Sequence, residues 1–173
     1  MKDFNSGNAI WNQRLKLQKS KLRLKQLANA VGHISDSSLA QYAQMLAITL
    51  EFKPDLIIEF GRGAGNSTAV FTEAANQIGN CNVISICLSN DWQEKTAKRI
   101  AKIVPENWFD KLDARIDNIL ETSFKPLIKH NKRILLLWDA HGWDIAEYIL
   151  GKVLPILAAR QHLVLVHDIS YFD

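Results

Sequence analysis

Apolar residues recur along this chain in two rhythms, and the switches between them outline its elements. DLIIEF (55–60), NVISICL (82–88), RILLLWD (133–139) and HLVLVHD (162–168) are short, continuous apolar runs bounded by polar or turn residues. Such runs predict buried strands, and DARIDNI (113–119) is a weaker fifth candidate. Between them the spacing turns helical. Ser35 and Asp36 are placed to cap a helix through LAQYAQMLAITLEF, with Leu39, Tyr42, Ala43, Leu46 and Leu50 on one side and Pro54 closing it. STAVFTEAANQI offers Ala69, Phe71 and Ile78 for packing. Asp91 with Glu94, and Asp144 with Glu147, have the spacing of helix caps ahead of KTAKRIAKIV and IAEYILGKVLPIL. Pro105 ends the first of these helices, and Gly151 with Pro155 should bend or shorten the second. Pro126 opens a brief helical stretch.

Five short strands separated by helices predict an α/β domain, doubly wound, with a mostly parallel sheet and helices on both faces. An N-terminal helical leader precedes it, in which Leu24, Leu27, Ala28 and Val31 fall at helical spacing. The division read from the pattern is a leader or cap over 1–52 and the α/β domain over 53–173.

Composition adds one feature to this outline. The 173 residues are 47% hydrophobic and 23% charged, with a net charge of +3, which suits one domain with a real core. The positive charge is concentrated in the leader, at Lys2, Arg14, Lys16, Lys19, Lys21, Arg23 and Lys25. It is read as a solvated face, so neither a membrane nor nucleic acid is the expected partner. No apolar run reaches the ~18 residues of a membrane span, and the N-terminus has no secretory signal pattern. Cys81 and Cys87 have neither disulfide-framework nor metal-ligand spacing, so the expected compartment is the cytoplasm.

The chemistry is concentrated in GRGAGNS, directly after the first strand and at the start of a helix. Gly61, Gly63 and Gly65 permit a sharp turn and let a ligand lie against the backbone, while amides at the helix start face it. Dinucleotide folds use G-x-G-x-x-G or A at such a turn, but Asn66 stands at the sixth position here. The spacing is instead E-x-G-x-G-x-G from Glu59 to Gly65. A carboxylate at Glu59 would repel a pyrophosphate, yet it can contact the cationic end of an aminoacyl sulfonium.

With this motif the sequence resembles the class I S-adenosylmethionine-dependent methyltransferases, in particular the small-molecule O-methyltransferase-like group, from about Asp55 to Asp168. The resemblance implies a Rossmann-like sheet of at least five strands and S-adenosylmethionine as cofactor. Glu59, Gly61, Gly63 and Gly65 would wrap its methionine part, together with Ser67. It also implies an adenine contact from Asp117. The acid that the family places at the end of the second strand, for the ribose hydroxyls, is replaced here by Cys87.

Ligands of open α/β sheets bind beyond the carboxyl ends of the strands. LLLWDAHGWD and VLVHDISYFD place Asp139, His141, Trp143, His167 and Asp168 there. Histidine suits proton removal near neutrality, with an ordinary pKa of about 6.5, so His167, His141 and Asp139 are the catalytic candidates. Cation-dependent relatives hold a divalent metal with acids at these two strand ends, which here would be Asp139 and Asp168. Asp144 is read as a simple helix cap, and His33, His130 and His162 as surface residues.

The function expected from these readings is methyl transfer from S-adenosylmethionine to a hydroxyl of a small molecule. The alternatives are an NAD(P)-dependent oxidoreductase and a non-catalytic binding or scaffold module on the same fold. The family pattern continues past its fifth strand with a helix and two more strands that this sequence lacks. HLVLV would then be an apolar edge, and the expectation is either a piece of a longer chain or a homo-oligomer that covers it.

Overall fold

A computed structural model describes residues 4–32 and 38–167. Among these residues five strands form one all-parallel sheet in the order β3-β2-β1-β4-β5. They are β1 (Leu56–Phe60), β2 (Asn82–Cys87), β3 (Leu112–Ile116), β4 (Arg133–Trp138) and β5 (Gln161–Val166). Four were legible as apolar runs and β3 as the weaker candidate, and their order makes the chain reverse direction across the sheet between β1 and β4. That reversal is where open α/β sheets bind ligands.

The central strands are buried on both faces, which is why they read as continuous apolar runs rather than alternating ones. Ile58, Phe60, Ile134, Leu136 and Trp138 pack on one side against α6 (Phe124–Leu127), α7 (Trp143–Tyr148) and α8 (Leu154–Leu157). Ile57, Leu135 and Leu137 pack on the other against Phe71 and Ala75 of α4 (Asn66–Ile78) and Phe52 of α3 (Leu39–Phe52). A further cluster joins Leu24, Leu27 and Val31 of α2 (Arg14–Val31) to Tyr42 and Leu46 of α3 and to Ala69, Val70 and Ala74 of α4. Each such fully buried aliphatic or aromatic side chain is worth roughly 1.5–3 kcal/mol relative to exposure. The short helix α1 (Ser6–Asn12) precedes α2 and packs on α3.

Three predicted caps differ from what the sequence spacing implied. Ser35 and Asp36 lie outside the described residues, and α3 is capped by Ser38. Its hydroxyl accepts from the Gln41 amide while Gln41 Oε1 accepts from the Ser38 amide, a reciprocal box. Asp91 is itself helical and caps nothing; its carboxylate accepts instead from Lys95 at 2.7 Å. The segment behind it opens as a π-helical turn, Trp92–Thr96, and continues only briefly as α5 (Ala97–Ile100). Asp144 lies inside the first turn of α7, where Gly142 occupies the cap position with φ 116°. The expected irregularity at Gly151 is present as a π-helical turn over Ile149–Val153 between α7 and α8.

Candidate active site

Glu59 organises the turn from below. Alternation along β1 aims it toward α4, where it is fully buried and accepts from Ser67 and Thr68 at 2.5 Å each and from Ser85, its register partner on β2. Burial pushes its carboxyl above the ordinary range, against the pull of those three hydroxyls and of Arg62. Arg62, 2% exposed, reaches under the turn to the carbonyl and hydroxyl of Ser85 at 2.9 and 3.0 Å and to the carbonyl of Arg115 at 3.1 Å. The carboxylate and guanidinium thus tie β1, β2, β3 and the start of α4 together. The sequence reading gave Arg62 no role. A large cation inside a glycine turn was the available signal.

The three glycines do different work. A Cβ on Gly61 would meet the Asp139 carbonyl oxygen at 2.3 Å, and one on Gly65 would meet the Trp92 ring at 2.3 Å. These two positions permit close packing. A Cβ on Gly63 would meet nothing within 4 Å, so this residue, at φ 51°, presents bare backbone to open space.

That space is a cleft of about 550 Å³ lined by Gly61, Gly63, Cys87, Leu88, Asn118, Ile119, Asp139, His141 and His167. A second cavity of about 240 Å³ shares Gly63, Asp139 and His167 with it and continues toward Gln41, Gln44 and Met45 of α3. Strand pairing extends one step past β4 and β5, with the Asp139 amide donating to Phe60 O and the His167 amide to Trp138 O. This ladder sets Asp139 between the glycine turn and His167, and His167 Nδ1 lies 3.0 Å from Asp139 Oδ1.

The predicted site residues therefore separate. Gly61, Gly63, Asp139, His141 and His167 meet at the cleft. Glu59 lies beneath it, engaged with three hydroxyls, and Ser67 lines the smaller cavity while donating to Glu59. Gly65 packs on Trp92. Asp117 is exposed and accepts from the Asn118 amide, and it is Asn118 that lines the cleft. Asp168 lies outside the described residues, and among those described no group of three or more His, Cys, Asp or Glu forms that could hold a metal. Tyr42 was missed as a site-supporting residue. Its hydroxyl donates to Asn66 Oδ1 in the first turn of α4, and burial raises its pKa.

As a fold, this arrangement is shared with solved methyltransferase structures. The chain is similar to cmcI with SAH at a TM-score of 0.52 and 16% identity, over 79% of this chain and 64% of that one. It therefore spans less than two thirds of cmcI. It is also similar to a Plasmodium falciparum structure described as a protein-L-isoaspartate O-methyltransferase in complex with S-adenosyl-L-homocysteine. There the TM-score is 0.56 and the identity 13%, over 96% of this chain and 86% of the other. No family model matches the sequence, and none of the curated proteins matches it. The fold is Rossmann-like, and it is shared with these two solved structures.

Proposed function

We propose that this chain is an S-adenosylmethionine-dependent methyltransferase whose acceptor is a hydroxyl of a small molecule. The observation that carries the reading is the position of Gly63, whose bare backbone opens onto two adjoining cavities that both reach Asp139 and His167. One cavity suits a nucleoside and the other a small acceptor. The glycine turn is open at Gly63, so the residues present fit such a cofactor. The backbone of Gly61 and Gly63 would hold its methionine part, and Cys87, Leu88, Asn118 and Ile119 would border its nucleoside. The cofactor, when bound, supplies an electrophilic methyl group on a sulfonium.

The remaining chemistry belongs to the chain. Asp139 accepts from His167 Nδ1–H, which fixes the tautomer in which Nε2 takes the proton of an acceptor hydroxyl. Holding acceptor and donor together supplies most of the effect, because the leaving group needs no acid. Asp139 and Asp168 remain the residues at which a divalent metal would be sought. Cys81 and Cys87 are both free thiols, which supports a cytoplasmic setting. Among the described residues no helix is long and apolar enough to cross a membrane.

A specific observation favours a second reading. Cys87 borders the cleft where related folds place a carboxylate for the ribose, so a module that binds nucleoside without turning over is the alternative. Titration calorimetry with S-adenosylhomocysteine tests the main reading. Saturable heat is expected with the native protein and none with Gly63→Val, whose side chain would enter the cleft. Absence of heat with the native protein would sink both readings, whereas binding without methylation of any acceptor would select the second.

A further inference from the structure

At the opposite end of the strands, a third cavity of about 800 Å³ opens between α1, the end of α3 and the turn leading into β5. Two arginines line it. Arg133 is the first residue of β4, and Arg160 immediately precedes Gln161, the register partner of Arg133 on β5. The Arg133 guanidinium lies 4.5 Å over the Phe52 ring, against which Phe4 packs edge-on at 5.7 Å. The Nε atoms of both arginines are shut off from solvent and donate to nothing among the described residues.

The neighbouring acids do not relieve them. Asp55 accepts the backbone amides of Lys132 and Arg133, one on each oxygen. Glu51, which also lines the cavity, accepts from Asn12 Nδ2 at 2.9 Å and Gln13 Nε2 at 2.6 Å. Those amides, more than any cation, hold its carboxyl below the ordinary range. The cavity therefore carries two guanidiniums against one carboxylate that already has its donors. Neither Nε is open to the cavity, so a ligand there would meet the two guanidiniums at their Nη atoms. Paired guanidinium forks match the oxygens of an oxyanion, and a phosphoryl group has acceptors enough for both, where a carboxylate offers only two.

We propose that this cavity is a second ligand site, which takes a small organic phosphate with its phosphoryl group between Arg133 and Arg160 and its apolar part against Phe4. The site lies across the sheet from the glycine turn and does not depend on the methyltransferase reading.

Thermal unfolding of the whole chain provides the test, with phenyl phosphate, inorganic phosphate and benzoate as probes against sodium chloride of equal ionic strength. Phenyl phosphate should raise the midpoint in a saturable way, with an apparent Kd at least tenfold lower than that of inorganic phosphate or benzoate. Arg133→Gln and Arg160→Gln should each weaken it at least tenfold while S-adenosylhomocysteine binding, read by calorimetry, stays as in the native protein. Chloride matching the effect of phenyl phosphate, or an undiminished shift in both variants, would overturn the site. Benzoate binding as tightly as phenyl phosphate would overturn its phosphoryl preference.

Discussion

Glu59 illustrates how a residue picked out for ligand binding can lie beneath the candidate cleft, held by hydroxyls of the chain itself. Its position two residues before the first glycine was legible in the sequence, but its partners were not, because Ser85 lies on another strand and is brought alongside only by the β1–β2 register. Burial raises its pKa above the ordinary 4.5, so the folded chain retains this proton to higher pH than the unfolded chain does. Its contribution to stability is complete below that ordinary value and is lost as pH rises through the raised one. Glu59→Gln should therefore flatten the fall in stability on that upward side. Urea midpoints measured at several pH values would check this, and an equal slope in both proteins would count against it.

At the scale of elements, the strands were readable because strands buried on both faces leave uninterrupted apolar runs, as in LIIEF and RILLLW. The helices after β2 and β4 were less so. Asp91 and Asp144 have cap spacing, but both segments contain π-helical turns, whose departure from the ordinary helical period no spacing rule anticipates. The site was legible in part for the same reason. Residues at strand ends, such as Asp139 and His167, follow from the runs, whereas Arg62 and Asn118 depend on how loops fold back. Trp92 shows what the first π-helical turn supports, since its ring closes over the start of α4 at Gly65. Gly65→Ala combines a 2.3 Å clash with that ring and a strained φ of 100°. It should cost about 2–3 kcal/mol by denaturant unfolding. A loss well under 1 kcal/mol would mean that the ring moves aside freely.

At the scale of the molecule, the two proposed sites occupy opposite ends of one parallel sheet. They share no lining residue, since the cleft and its adjoining cavity are built on the carboxyl ends of β1, β4 and β5, and the arginine cavity on the starts of β4 and β5. A ligand that binds only the folded state stabilises it by about 2.7 kcal/mol at a hundredfold excess over its Kd. Separate sites should act independently, so the midpoint shifts of S-adenosylhomocysteine and phenyl phosphate should add in terms of free energy, within about 0.5 kcal/mol. In Gly63→Val only the phenyl phosphate shift should survive. Loss of both in that variant would show that the two ends are coupled through the sheet.

The contact of Gly61 with the Asp139 carbonyl carries a consequence for how this chain can change. Any side chain at position 61 would push the end of β4 outward, and the carboxylate that orients His167 sits on the displaced residue. The surface proposed to cradle the donor and the base proposed for the acceptor are therefore one mechanical part. Natural variation can reshape the adjoining cavity through the wall supplied by α3, but a side chain at position 61 cannot be accommodated without moving Asp139 and its contact with His167.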